Sequence, residues 1–278
     1  LVLAGIALAM ETVSLVRAGR TAALPKALLL YGIIPCVPAA IAWLTSGVSL
    51  GLGLQMLLAL LLVLPIAPLV DRIAFRPLAD ASVLVLLIVS VAVHLTLVGL
   101  GLLFFGAEGS RTTPFSEAQF NLGMLTVNGQ TLWVLGASGV LIVALYLFFG
   151  RSLYGKALRA TAINRVGVRL MGISTTMAGK LSFTLAAGIG ALSGILIAPI
   201  TTVYYDTGFL VGLKGFVAAI IAGLVSYPLA AAGAILVGLL EAFSSFWASA
   251  FKEVIVFTLI IPVLVWRSLT SHHVEEEE

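Results

Sequence analysis

The strongest constraint in this sequence is a series of long, uninterrupted apolar runs, such as residues 83–105 and 132–149. Inside a bilayer no water satisfies the peptide groups, so a spanning chain forms either helices or a closed β-barrel. Barrel strands alternate apolar and polar residues over about ten positions. These runs do not alternate, and they approach the roughly 20 residues that a spanning helix needs. The sequence therefore predicts several transmembrane helices.

The composition leads to the same conclusion. Of the 278 residues, 61% are hydrophobic and only 10% are charged, and the mean hydropathy is +1.18. Soluble domains carry roughly 25% charged residues, which this chain does not approach. The expected fold class is all-α, a polytopic transmembrane helical bundle that forms a single domain over residues 1–278.

Charged residues, prolines and glycines divide the chain into nine predicted spans. They cover residues 1–16, 27–45, 50–70, 81–105, 131–149, 180–200, 211–226, 229–246 and 252–267. If the spans alternate in direction, 12 of the 15 basic residues fall on one side of the membrane. The positive-inside rule makes that side cytoplasmic. The loop at 150–180 is then cytoplasmic, and the loop at 106–130 is external.

The cytoplasmic loop at 150–180 holds six basic residues and no acidic one. Its apolar residues recur every four positions, which predicts one stripe of an amphipathic surface helix, while arginines occupy the remaining face. The stripe is Leu158, Ala162, Val166 and Leu170, and the arginines are Arg159, Arg165 and Arg169. Such a helix either rests on anionic lipid headgroups or docks on another protein.

The same loop matches the core of a phosphate-binding motif, because Gly150, Gly155 and Lys156 satisfy G-x-x-x-x-G-K. The next residue, Ala157, lacks the hydroxyl that would hold Mg²⁺, and a genuine motif follows a β-strand rather than a membrane span. We interpret the match as coincidence. The chain is then not an enzyme, and any ATP hydrolysis belongs to a partner subunit.

No cofactor or metal site is expected. The single cysteine, Cys36, lies in an apolar run, which excludes a disulfide framework within one chain. His272 and His273 precede the acidic run Glu275 to Glu278. We interpret this segment as a solvated tail rather than a metal site.

Ionisable residues inside spans are costly, so they are candidates for a functional role. We single out His94, Lys214 and Glu241. Counted from the external ends of their spans, Lys214 and Glu241 lie within about 3 Å of the same depth, so an ion pair can form. The pair either locks two helices together or contacts a zwitterionic solute. His94 is interpreted as a hydrogen-bonded interior histidine.

Three segments closely resemble the permeases of branched-chain amino acid ABC importers. They are ALRATAINRVGVRLMGI at 157–173, GKLSFTLAAGIGALSGILIAPI at 179–200, and the long stretch from GFLVGLKGF to GLLEAF at 208–243. DRIAFRPL at 71–78 and VFTLIIPVLVWR at 256–267 follow the same pattern. The resemblance covers residues 71–267 and fades before Asp71, so we expect the family's N-terminal part to be missing or divergent here.

The resemblance implies a multi-pass protein of the cell (inner) membrane that works within an assembly. Its expected partners are two cytoplasmic ATPase subunits, a second homologous permease or another copy of itself, and an external solute-binding protein. Membrane lipid surrounds it, and nucleic acid is not expected to bind. Within this family, residues 157–173 correspond to the segment that docks on the ATPase. The implied solutes are branched-chain amino acids or related small polar molecules.

Other functions remain open from the sequence. Permeases for urea and short-chain amides resemble the same family. An ion-coupled secondary transporter would also be polytopic, but it usually carries buried carboxylates, and only Glu241 was singled out inside a span. A channel would show a repeated pore signature, which we do not find.

Overall fold

A computed structural model describes residues 1–48, 50–79, 81–122, 125–223 and 226–270. Helices dominate these residues, and one short hairpin accompanies them. The helices are α1 (Val2–Arg17), α2 (Leu24–Ala27), α3 (Ile34–Leu44), α4 (Leu52–Val63), α5 (Ile66–Val70), α6 (Val83–Phe105), α7 (Gly129–Arg151), α8 (Leu153–Ile163), α9 (Arg165–Leu170), α10 (Thr175–Ile197), α11 (Thr207–Ile221), α12 (Tyr227–Trp247), α13 (Lys252–Thr258) and α14 (Ile260–Thr270). The strands are β1 (Gln119–Leu122) and β2 (Leu125–Asn128).

Within the described residues, seven helical segments are long and apolar enough to cross a membrane. They are Thr21–Leu44, Leu52–Leu78, Leu84–Phe105, Gly129–Arg151, Thr175–Ile197, Tyr227–Trp247 and Ser249–Trp266. The two remaining predicted spans coincide with α1 and α11, which are helical but only 16 and 15 residues long. The predictions of an all-α polytopic fold and of a multi-pass membrane protein are therefore confirmed.

Two of these segments contain a wide, π-helical turn, at Leu28–Ile33 and at Asp71–Phe75. A π-helical turn accommodates an extra residue without breaking the run of backbone hydrogen bonds. In each case it joins shorter α-helices into one apolar segment, so α2 continues into α3, and α5 continues to Leu78.

The first compact unit comprises residues 1–134 and 153–203. Its core includes small residues of α1 that pack against Tyr31 and Leu69. Helix α10 packs against α4 and α5. The ring of Phe183 on α10 lies 5.0 Å from the ring of Phe75, measured between centroids. These contacts hold α10 along its length.

The second compact unit comprises residues 135–152 and 204–278. Its core is formed by Val217 and Ala218 of α11 with Val237 of α12 and Val256 of α13. Helices α11 and α12 approach closely at Gly233, because a Cβ atom there would lie 2.6 Å from the carbonyl oxygen of Ala218. Small residues commonly permit such close approach between membrane helices. A single permease domain over residues 1–278 stays a prediction.

Candidate functional site

A charge cluster in the second unit joins α11, α12 and the start of α13. Lys214 Nζ donates to Glu241 Oε1 at 2.6 Å and to Glu253 Oε1 at 3.3 Å. Lys252 Nζ lies 4.0 Å from each of these two carboxylate oxygens. The structure thus brings together Lys214 and Glu241, the two residues that depth counting placed at the same level.

Glu253 is the member of this cluster that sequence reasoning missed. It is the second residue of α13, after a short 3₁₀ turn at Ser249–Phe251. On the sequence it lies at the edge of a predicted span, beside Lys252, where a charge is unremarkable. Only the packing of α13 against α12 brings its carboxylate to Lys214.

The cluster is partly buried, and its contacts are not fully satisfied. The side chains of Lys214 and Glu241 are 21% and 29% exposed. Glu253 Oε2 is buried and has no hydrogen-bond partner among the described residues. A cation held between two carboxylates in a poorly solvated setting ties its helices together, because loss of the cation would leave the carboxylates uncompensated.

His94 lies in the other compact unit, near the middle of α6. Its side chain is half-buried. It is not a member of the charge cluster, and a pathway role for it stays a prediction.

The predicted cytoplasmic segment folds as two helices, α8 and α9, rather than one. Asn164 separates them with an extended backbone, and its side chain accepts a hydrogen bond from the N–H of Gly167 at 2.7 Å. Asparagine is a favoured N-cap because it satisfies a free donor of the first helical turn. The expected single amphipathic helix is therefore wrong, since the four-residue apolar repeat runs across a helix start.

The break changes which apolar residues face outward. Leu158 is buried at 8% exposure, whereas Val166 and Leu170 are 70% and 84% exposed, and Ala162 is also exposed. Ile163 and Met171, which the sequence analysis did not select, are equally open. We call Ile163, Val166, Leu170 and Met171, with the exposed Arg159, Arg165 and Arg169 between them, the α8–α9 surface.

The three arginines of this surface have different contacts. Arg169 Nε donates to Thr175 Oγ1 at 3.3 Å, which connects α9 to the first residue of α10. Arg165 Nη1 makes a long contact of 3.5 Å with the carbonyl oxygen of Ala79. The structure gives Arg159 no side-chain hydrogen bond or ion pair to a described residue. Positive charge therefore remains available on this surface.

The residues of the phosphate-binding match lie in helices. Gly150 belongs to α7, and Gly155 and Lys156 belong to α8, where Gly155 is buried. A phosphate cradle needs backbone N–H groups that converge in a loop between a strand and a helix. These positions do not provide that geometry.

Part of the loop predicted to be external forms a hairpin, and residues of this loop line a cavity of mixed polar and apolar character. Strands β1 and β2 pair in antiparallel register, with Gln119 opposite Asn128. The cavity has a volume of about 330 Å³, and its lining includes Arg111, Glu117 and Gln130. All of its lining residues belong to the first unit. The prediction for this segment was an external loop at 106–130, without a strand or a cavity.

A second partly buried ion pair also escaped the sequence analysis. Arg72, in the wide turn at Asp71–Phe75, donates through Nε to Glu11 Oε2 at 2.6 Å, and its Nη2 lies 2.5 Å from the same oxygen. Glu11 interrupts the apolar run of α1, which was the available signal. The pair joins α1 to the end of the Leu52–Leu78 segment.

These features define a polytopic helical membrane protein with a basic, partly apolar surface formed by α8 and α9. The sequence profile of the family described as branched-chain amino acid transport system / permease component matches residues 5–264. The chain belongs to this family. The match also extends the resemblance upstream of Asp71, where the sequence analysis had found it to fade.

Individual relatives agree with this family. The high-affinity branched-chain amino acid transport system permease protein BraD of Pseudomonas aeruginosa is 28% identical over 205 residues, covering 71% of this chain and 67% of the relative. The corresponding permease protein LivH of Escherichia coli K12 is 29% identical over 205 residues, covering 70% and 66%. A probable branched-chain amino acid transport permease protein LivH of Methanocaldococcus jannaschii is 27% identical over 193 residues, covering 67% and 61%.

The matched part of the chain thus spans about two thirds of the length of these relatives. No solved structure matches the chain. The C-terminal His272, His273 and Glu275 to Glu278 lie outside the described residues.

Proposed function

We propose that this chain is the transmembrane permease subunit of an ATP-driven ABC importer in the cell (inner) membrane. It moves branched-chain amino acids or related small polar solutes that an external binding protein delivers. Two cytoplasmic ATPase subunits supply the energy, and a second related permease, or another copy of this chain, completes the pathway. Family membership supports the transport role.

The observation that carries the ATP-coupled part of the proposal is the α8–α9 surface. It exposes four large apolar side chains, Ile163, Val166, Leu170 and Met171. Around them are Lys156, Arg159, Arg165 and Arg169, and residues 150–180 contain no acidic residue. An apolar patch with a basic rim suits a partner groove that has an apolar floor and carboxylates at its edge.

The surface is connected directly to a membrane-crossing helix. Only four residues separate Leu170 from the start of α10, and Arg169 contacts Thr175. A push by the ATPase on α9 therefore reaches α10 without an intervening flexible linker. Nucleotide-driven closure of the ATPase pair would then switch the permease pair between outward-facing and inward-facing states.

Reconstitution tests this proposal. The chain is purified with its second permease and ATPase subunits, inserted into vesicles with the loaded binding protein outside, and assayed for uptake of leucine and of urea. We expect leucine uptake that requires ATP in the ATPase compartment. Urea uptake with no leucine uptake would assign the chain to an amide permease instead.

A control separates energy sources. The same vesicles are prepared without ATPase subunits and given a proton or sodium gradient. Uptake under those conditions would contradict an ABC importer and favour an ion-coupled transporter. Uptake that needs neither ATP nor a gradient would indicate a channel.

A further inference from the structure

Helix α10 is fastened at both ends, and the fastening at its C-terminal end has no counterpart in the sequence analysis. The helix contains 23 residues, which gives it a length of about 34 Å at 1.5 Å per residue. The hydrocarbon layer is about 30 Å thick, so its two ends lie at opposite membrane faces. Its first residue follows the α8–α9 surface. Its last turn contacts residues 110–131, which we call the hairpin loop.

The end nearer the α8–α9 surface is held by side chains. Ser174 caps α10 by accepting from the N–H of Met177, and Arg169 donates to Thr175. Two turns further along, Phe183 packs on Phe75. A displacement of α9 therefore moves the start of α10 with it.

The opposite end is held by a group of hydrogen bonds that we call the clasp. Arg111 donates through Nε to the carbonyl of Pro199 at 3.1 Å and through Nη2 to that of Ile200 at 3.2 Å. Gln130 Nε2 donates to the carbonyl of Leu196 at 3.0 Å. Leu196 lies in the last turn of α10, where carbonyls lack partners within the helix, and Pro199 and Ile200 follow just beyond that turn. These donors therefore satisfy carbonyls at the end of α10.

Gln130 makes the clasp a connection rather than a simple cap. Its Oε1 accepts from the N–H of Phe115 at 2.9 Å, so one side chain joins the hairpin loop to α10. The side chain is buried, with only 4% exposure. A two-way bridge, Ser110 to Val203 and Val203 to Ser110 at 2.9 and 2.8 Å, adds a backbone attachment beside it.

We propose that Arg111 and Gln130 are positioning residues that couple the external hairpin loop to the α8–α9 surface through α10. The partner whose binding is coupled in this way is the loaded external solute-binding protein, so the proposal rests on the proposed function. Nucleotide at the ATPase shifts α9 and the start of α10, and the clasp transfers that shift to residues 110–131. In the reverse direction, contact of the binding protein with the hairpin loop reaches the ATPase.

Physical coupling between two sites requires an element whose position both sites bias. Helix α10 meets this requirement because it carries side-chain fastenings at both ends. Two side chains reach carbonyls around the end of α10, and each adds something that a single capping bond would not. Arg111 binds two consecutive carbonyls, and Gln130 bridges Leu196 to Phe115, so together they fix the orientation of the loop as well.

The first experiment measures ATP hydrolysis by the full reconstituted complex with and without loaded binding protein. The variants are Gln130→Leu, Arg111→Met and Arg111→Lys. The matched control is Gln55→Leu, because the hydrogen bond of Gln55 Nε2 is local, to the carbonyl of Leu50 just before α4, and does not reach residues 110–131. We expect Gln130→Leu and Arg111→Met to keep basal hydrolysis and to lose stimulation by about tenfold. Arg111→Lys should fall between, and Gln55→Leu should match the wild type.

The second experiment does not depend on import. Hydrogen exchange of residues 110–131 is followed when a non-hydrolysable ATP analogue is added to the complex of the chain with its ATPase. The wild type should change its exchange in this loop, and Gln130→Leu should not, while exchange across α8 and α9 responds in both. Wild-type stimulation in Gln130→Leu, or a parallel loss of basal and stimulated hydrolysis, would overturn the proposal.

The two levels of inference fail in different ways. If the wild-type chain neither binds an ATPase nor imports a solute, the proposed function is wrong. If the wild type imports with ATP but its loop exchange ignores nucleotide, only the role of the clasp is wrong.

Discussion

Lys214 Nζ lies 2.6 Å from Glu241 Oε1, on two helices that are packed almost backbone to backbone. The same ammonium reaches Glu253 on a third helix at 3.3 Å. One cation therefore compensates two carboxylates. Lys214 therefore connects three helices, α11, α12 and α13, rather than only the two that carry the Lys214–Glu241 pair.

Replacing Lys214 by methionine should abolish uptake or assembly. The change keeps most of the length of the side chain but leaves Glu241 and Glu253 without their main cation. Removal of one member of such a cluster costs about 1–3 kcal/mol even where water reaches it in part. The measurement is ATP-dependent uptake, with the yield of assembled complex determined in parallel. Full uptake by Lys214→Met would exclude a role for the pair.

The double variant Lys214→Met with Glu241→Gln tests whether the defect of Lys214→Met comes from uncompensated negative charge. It removes one of the two uncompensated carboxylates, so assembly should recover in part if the role is structural. Lys252→Met should be mild, because Lys252 lies 4.0 Å from both carboxylates and is the most exposed of the four side chains. Recovered assembly without recovered uptake would favour direct contact of the pair with solute.

Gly233→Val should destabilise the second unit by about 1–3 kcal/mol, because the added Cβ would collide with the carbonyl oxygen of Ala218 and force α11 and α12 apart. The free energy of unfolding can be measured by titration in mixed micelles. The matched control on the same helix is Gly238→Ala, whose added Cβ has no neighbour within 4 Å. Equal stability of the two variants would contradict the close approach.

Leu170→Glu should weaken binding of the ATPase by about tenfold or more. Leu170 is exposed on the α8–α9 surface, and we propose that this surface meets carboxylates at the edge of the ATPase groove, which would repel the new charge. Folding of the chain should be unaffected, because the side chain of Leu170 is exposed and makes few contacts within the chain. Leu170→Gln removes the apolar contact without adding a negative charge, so it should weaken binding of the ATPase less than Leu170→Glu does. Co-purification with the ATPase gives the readout; unchanged binding by Leu170→Glu would favour a surface that rests on lipid headgroups.

A double-mutant cycle on Glu11→Gln and Arg72→Met should give a coupling energy of about 1–3 kcal/mol, above the value typical of exposed ion pairs. The reason is that one carboxylate oxygen of Glu11 accepts from Nε of Arg72 and lies beside its Nη2 in a partly buried setting. Unfolding in mixed micelles measures each corner of the cycle. Additive effects would show that the two side chains act independently.

The positions of the helical spans and the Lys214–Glu241 ion pair could be predicted from the sequence. In the part of the chain that the structure describes, each of the nine apolar spans predicted from the sequence coincides with a helical segment, because burial in lipid leaves the backbone no alternative. Depth counting placed Lys214 and Glu241 at one level, because the rise of a helix is constant. Neither inference needed tertiary contacts.

Other parts depended on contacts that periodicity does not encode. Glu253 meets Lys214 only because α13 packs on α12. The break at Asn164 had a local signal, an asparagine three residues before a glycine that lies in the first turn of α9, but the apolar repeat dominated the prediction. The clasp joins residues 66 to 89 positions apart, and no pattern within either segment indicated the other.

The wide π-helical turn at Asp71–Phe75 sets the directions in which its own side chains leave the membrane segment. A regular α-helical turn needs about one residue fewer than this turn holds, so deleting one residue here would restore regular winding and turn the neighbouring side chains within it by about 100° around the axis. Arg72 would then swing away from Glu11, and Phe75 away from Phe183. A one-residue deletion here should therefore be worse than any single substitution in the same five positions.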